Sequence, residues 1–236
     1  MEHFWDARAR EDAFYFVDSR LRYSEPDEAA FWQGGEDALR TLLGVLEVTL
    51  SPDHVVVDIG CGLGRLTRPL AAQVQQVLAL DVSEEMLSRA KQLNPSLTNV
   101  EWLHGDGHSL HPVADSSADA CVSHVVFRHI PDPAVTLGYV REMGRVLRPG
   151  GFAAFEFSND PAPHRPGRVG VRARLAARLG RAPKGQDDEA WLGSYVELAA
   201  LRAAAAQGDL EVTRVVGEST EFCAVLLRRR LPSSVR

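Results

Sequence analysis

The chain has 236 residues, 45% apolar and 25% charged, with 26 basic against 32 acidic side chains for a formal net charge of −6. That length suits one domain, and enough of it is apolar to build a core, which excludes disorder as the main state. No apolar run nears the roughly 20 residues of a spanning helix, Cys61, Cys121 and Cys223 fit neither a disulfide framework nor a zinc spacing, and the acidic balance argues against nucleic acid as a partner.

The opening Met-Glu-His-Phe-Trp-Asp has no basic region leading into an apolar one, so no signal peptide is expected and the cytoplasm is the expected compartment. Residues 1–50 read as helical and rich in aromatic residues. Eight of these, Phe4, Trp5, Phe14, Tyr15, Phe16, Tyr23, Phe31 and Trp32, fall within the first 32 positions. The spacing of Leu42, Leu43, Leu46 and Leu50 predicts a helix over 41–50, ended by Ser51-Pro52. From residue 54 the pattern becomes short apolar runs alternating with helical segments. Strands are predicted over 54–59, 77–80, 100–103, 119–124 and 152–157. Helices are predicted over 65–73, after Ser83, and over 133–147, the last stopped by Pro149-Gly150-Gly151. This alternation is that of an α/β, doubly wound, mostly parallel sheet. Residues 187–207 read as one more helix, followed by strands over 210–216 and 221–227. Only a short turn joins those two strands, so they must be an antiparallel hairpin.

The strongest local signal is Asp58-Ile59-Gly60-Cys61-Gly62-Leu63-Gly64 at the end of the first strand. Glycines there let a ligand approach the backbone, and a following helix offers unpaired N–H groups. A dinucleotide fingerprint would need glycine at position 65, which is arginine. The pattern D-x-G-x-G-x-G resembles the first motif of the class I S-adenosylmethionine-dependent methyltransferases. Three further motifs match that family in order: Asp81 at the end of the second strand, Gly105-Asp106-Gly107 after the third, and the run from Ser123 to Asp132 after the fourth. The turn at 145–151 fits it as well. The resemblance is close over residues 54–158 and topological beyond them. It implies a Rossmann-like, seven-stranded sheet with a C-terminal antiparallel hairpin.

The resemblance also implies S-adenosyl-L-methionine as cofactor, held by Asp58, Gly60, Gly62, Gly64, Asp81, Val82, Met86, Asp106, Gly107 and Ser123. In the family the acid at Asp81 takes the ribose hydroxyls, and the acid at Asp106 takes the adenine amino group. His129 and His124 are the catalytic candidates, as bases for a hydroxyl acceptor. A histidine at 124 departs from the small polar or amide residue often found there in the family. The fourth strand also lacks the Asn/Asp-Pro-Pro-aromatic signature of enzymes acting on DNA or on protein glutamine. Methyl transfer to a small molecule, leaning to O-methylation, is therefore expected, with no metal: His104, His108 and His111 lack a ligand spacing. Residues 1–50 are expected as an aromatic lid over a methyltransferase domain at 51–236. The basic stretch Arg165, Arg168, Arg172, Arg174, Arg178, Arg181 and Lys184 would form a second lid over 160–186, suited to an anionic acceptor. Two alternatives stay open: a protein that binds the cofactor without transferring methyl groups, and a nicotinamide-dependent oxidoreductase.

Overall fold

The computed structural model describes residues 1–165, 176, 177, 179 and 182–231. Arg168, Arg172, Arg174, Arg178 and Arg181 of the basic stretch lie outside the described residues. Two helices, α1 (Glu2–Val17) and α2 (Glu28–Leu46), precede β1 (Val55–Ile59), α3 (Thr67–Ala71), β2 (Gln76–Asp81), α4 (Glu84–Leu93), β3 (Val100–His104) and β4 (Ala118–Ser123). A 3-10 turn at Phe127–His129 leads to α5 (Pro133–Val146) and β5 (Leu147–Phe157). The chain closes with α6 (Glu189–Leu192), α7 (Leu198–Gln207), β6 (Leu210–Val216) and β7 (Cys223–Arg229). No helix among the described residues is long and apolar enough to cross a membrane.

The sheet has seven strands in the order β3-β2-β1-β4-β5-β7-β6. β7 inserts antiparallel between β5 and β6, and the other pairings are parallel. Strand pleating sends alternate side chains to opposite faces. Val57, Cys121, Ala153, Phe155 and Val225 pack on one face against Val140, Met143 and Leu201 of α5 and α7. Val56, Val77, Ala79, Val122 and Ala154 pack on the other against Leu39, Leu42, Leu46, Leu70 and Leu87 of α2, α3 and α4. Thus α2 is a layer of the sandwich, while α1 lies apart from it and packs Ala9 and Ala13 onto Phe31, Leu63 and Met86.

Several helix boundaries differ from the sequence expectation, each for a local reason. α1 bends at Asp12 (φ −163°, ψ 85°), whose carboxylate accepts from Tyr15 N at 3.1 Å and Ser24 N at 2.6 Å. Asp12 thereby caps the second half of its own helix. α2 stops at Leu46, because Glu47 adopts the left-handed conformation and donates back to Gly44 and Leu43. The helix expected over 65–73 is only Thr67–Ala71. α5 is not stopped by Pro149-Gly150-Gly151. Leu147 is already extended, and those residues fall within β5. The helix expected over 187–207 is two helices, broken at Gly193 (φ +59°). A side chain at Gly193 would fall 1.8 Å from Arg128 O, so the chain must lie flat against the 3-10 turn.

Candidate active site

Strands β2 and β3 lie on one side of β1, and β4 and β5 on the other. The chain reverses its winding between β1 and β4, and at such a switch point a crevice opens beyond the carboxyl ends of the strands. The cleft found there has about 1100 Å³ of empty space, its mouth included.

The glycine turn forms the cleft's floor. Gly60 (φ +73°) and Gly62 (φ +53°) take backbone conformations that L side chains avoid, and a Cβ on Gly60 would meet Val126 Cγ2 at 2.5 Å. Their missing side chains leave the backbone bare to the cleft. Asp81 stands beside the turn. Its Oδ2 accepts from Gly62 N and its Oδ1 from Ser83 N, both at 2.8 Å. Burial raises its pKa, and the backbone donors at Ser83, Gly62 and Val82 oppose that shift. Each carboxylate oxygen keeps lone-pair capacity for a further donor. Asp58 is more deeply buried. Desolvation pushes its pKa up to about 7, although Thr67 Oγ1 donates to its Oδ2 at 2.6 Å.

Among the expected cofactor residues, Asp58, Gly60, Gly62, Asp81, Val82, Met86 and Gly107 line the cleft together with His124 and His129. Gly64, Asp106 and Ser123 are not among the residues that line it, and Asp106 is exposed between Gly105 and Gly107, which do. Gly64 abuts Trp102 and Asn94. Ser123 Oγ donates to Ile59 O at 2.8 Å and ties β4 to β1. Asp106 closes its own turn, accepting from His108 N, Ser109 N and Ser109 Oγ at 2.7–2.8 Å. Those donors hold its carboxyl below the usual range against desolvation, which acts the other way. Cys61 lines the cleft with a thiol that burial keeps protonated, which suits a packing residue and not a nucleophile.

The two histidines differ in their hydrogen bonding. His129 Nδ1 donates to Trp191 O at 2.7 Å, so the lone pair stays on Nε2. Burial, then the Arg128 charge, drives its pKa down to about 3. His124 Nδ1 accepts from Arg65 Nη2 at 3.2 Å, which places its proton on Nε2. Burial and the Arg65 charge lower its pKa to about 4. Both imidazoles are therefore neutral at pH 7. His129 presents an acceptor and His124 a donor.

Trp5 and Phe16 of α1 line the cleft, and Trp191 of α6 packs against them. Trp5 sets its ring edge-on to His129 at 5.6 Å and lies 6.4 Å from Trp191, which Phe16 meets at 5.5 Å. Asp6 fastens α1 to α4, accepting from Ser83 Oγ at 2.7 Å and from Glu85 N at 3.2 Å. Sequence reasoning placed aromatics here but missed Tyr139 and Arg65, which line the cleft. Arg65 drew notice only as a break in the dinucleotide spacing. It also missed Val125, whose left-handed backbone (φ +61°) is strained for a β-branched residue and sits in the cleft wall.

Among the described residues, no three His, Cys, Asp or Glu side chains are grouped to hold a metal ion. Residues 57–155 match the methyltransferase domain family. That stretch, 99 of the chain's 236 residues, is where the chain resembles the class I S-adenosylmethionine-dependent methyltransferases. Over 108 residues it is 36% identical to demethylmenaquinone methyltransferase of Staphylococcus aureus, covering 44% of this chain and 43% of that protein. It is also 36% identical over 133 residues to an uncharacterised protein of transposon TN4556 from Streptomyces fradiae, covering 53% of this chain and 37% of that one. The matched region thus spans about two fifths of the length of these relatives. An S-adenosylmethionine-dependent methyltransferase from Mesorhizobium loti shares the fold, with a TM-score of 0.61 at 23% identity over 84% of this chain and all of that one.

Proposed function

We propose that the protein transfers the methyl group of S-adenosylmethionine to a small-molecule acceptor, with an oxygen nucleophile favoured. The observation that carries this reading is the floor of the cleft, where the bare backbone of Gly60 and Gly62 meets the carboxylate of Asp81. These residues fit the cofactor. Asp81 has acceptor capacity for a ribose diol, and Val82, Met86 and Gly107 line the wall beside it. When bound, the cofactor supplies a methyl group already activated by a sulfonium. The protein's task is then mainly to align the acceptor and exclude water, and alignment contributes roughly 7–11 kcal/mol to such reactions. Trp5, Phe16 and Phe127 exclude water from the cleft. His129 Nε2, unprotonated at neutral pH, can accept a hydrogen bond from an acceptor hydroxyl and orient it. Three buried free thiols suit a reducing compartment, and we place the reaction in the cytoplasm.

Calorimetric titration tests the first half of this reading. S-adenosylmethionine should bind, and nicotinamide cofactors should not bind comparably. Release of S-adenosylhomocysteine with label passing from the methyl group to an added compound tests the second half. Binding without any transfer across a broad acceptor panel would favour a protein that only binds the cofactor.

A further inference from the structure

Tyr139 lines the cleft from α5 and is otherwise buried. Its hydroxyl enters no hydrogen bond among the described residues. Nor is that oxygen one of the wholly buried polar atoms left without a partner. It is therefore open, and the space beside it is the cleft. A polar group held there without a protein partner bonds water or a ligand.

The neighbours of Tyr139 fix which end of the cleft it faces. Next to it in α5, a side chain on Gly138 would begin 3.6 Å from His108 O, and one turn on, Glu142 Oε2 accepts from Leu110 N at 3.1 Å. This part of α5 thus lies against the loop that follows β3. Tyr139 packs in the same cluster as Leu80 and Leu110, and its ring meets Phe127 edge-on at 5.6 Å. Burial raises the pKa of the phenol, and the charges of Asp106 and then Asp81 add to the shift. The hydroxyl keeps its proton at neutral pH, so it is a donor. Gly105 and Gly107 line the same end of the cleft. A side chain on Gly107 would begin 3.0 Å from Val82 Cγ2 and 3.5 Å from Met1 Cε, so the wall there is close and apolar.

The carboxyl ends of β1, β2 and β3 stand side by side in that order. They lead into the glycine turn, Asp81 and the Gly105–Gly107 turn. With a ribose on Asp81 and the amino-acid arm over the glycine turn, the base of the cofactor comes to the end of β3, where Tyr139 looks in. We propose that the Tyr139 hydroxyl reads the base of the cofactor, donating to a ring nitrogen of the adenine. Adenine offers such nitrogens as acceptors. The phenol is already held by its ring packing, so little freedom is lost when it bonds. This inference rests on the methyltransferase reading above, and it adds a base-selecting residue to that cofactor site.

Calorimetry on the full chain tests it, with S-adenosylhomocysteine and its 1-, 3- and 7-deaza analogues, each of which replaces one ring nitrogen with C–H. Tyr139→Phe keeps the ring and removes only the hydroxyl. It should bind S-adenosylhomocysteine about three- to tenfold more weakly, as expected for one neutral hydrogen bond. Its melting temperature should not fall, because no group in the protein loses a partner. On the unaltered protein one deaza analogue should show a loss of similar size, and on Tyr139→Phe that loss should vanish. Equal affinity of the two proteins for S-adenosylhomocysteine, or deaza losses that are the same in both, would overturn the assignment. Failure of Tyr139→Phe to fold would also overturn it, by giving the hydroxyl to the fold. No binding of S-adenosylhomocysteine to the unaltered protein would instead overturn the methyltransferase reading, and the assignment with it.

Discussion

Asp81 and Asp58 stand 23 positions apart in the chain, yet both line the same cleft in different chemical states. Asp81 is fixed by two backbone donors and keeps room for more. Asp81→Ala should raise the dissociation constant for S-adenosylmethionine at least tenfold, since each hydrogen bond to a charged group is worth about 1.5–3 kcal/mol. Calorimetry on a variant with an unchanged circular dichroism spectrum checks this, and an unchanged constant would remove Asp81 from the site. Asp58 predicts a pH effect. Its folded pKa is about 7 against an ordinary value of 3.8. Between those values the folded state holds a proton that the unfolded state has released. Stability must therefore fall as pH rises through that window and stay lower above it. Asp58→Asn should melt several degrees above the unaltered protein at pH 8, with the gap closing towards pH 4. A gap of the same size at both ends would mean that Asp58 is ionised in the fold.

At the scale of the element, α1 is the segment whose removal separates binding from turnover. It packs Ala9 and Ala13 onto Phe31, Leu63 and Met86, sets Phe14 against Phe31, and ties Asp6 to α4. The sheet and its glycine turn are built without it. Deleting residues 2–17 should leave the cofactor's dissociation constant within about an order of magnitude but abolish turnover, because roof elements exclude water and complete the site. Turnover by the truncated protein would make the Trp5 cluster ordinary packing. The junction of α6 and α7 carries a similar lesson. Residues 187–207 read as one helix because their apolar spacing is continuous, but Gly193 must lie against the carbonyl of Arg128. The break lets Trp191 O accept from His129, which fixes the tautomer of that imidazole. A long-range contact therefore overrode local helix propensity at the place where it orients a residue of the cleft.

For the whole molecule, the proposed methyl transfer calls for no metal, since the leaving group would be built into the cofactor. Activity should persist in EDTA, and loss restored by magnesium or zinc would refute a metal-independent reaction. The excess of arginine over 165–184, in a chain of net charge −6, is the largest local charge imbalance in the sequence. Neutralising Arg172, Arg174 and Arg178 together should raise KM for an anionic acceptor at low salt, with the difference shrinking as the ionic strength approaches and exceeds about 0.15 M. Equal KM values at low salt would make the stretch a solvated surface.

The alternation of apolar runs with helical segments, the D-x-G-x-G-x-G turn and the acid closing the second strand were legible because each is local. Strand burial shows as β-branched runs, a tight turn as glycines, and a ligand-facing acid as a polar residue at a strand's end. These features determined the doubly wound sheet, its final hairpin and the resemblance to the methyltransferases. Tertiary structure decided what locality cannot carry. Nothing near Arg65 in sequence reveals that Asp18, Gly34 and His124 surround it, because those partners lie 31 or more residues away in three separate segments. Asp106 and Ser123 read as ligand contacts from their positions after strands, and in the fold Asp106 also accepts from three nearby donors while Ser123 Oγ donates to Ile59 O. Glu156 is one polar residue in an apolar strand, and only folding sets it near two arginines with an oxygen left unmatched. Buried charge is a property of the packed state, since desolvation and partner geometry exist only once the chain has closed around the group.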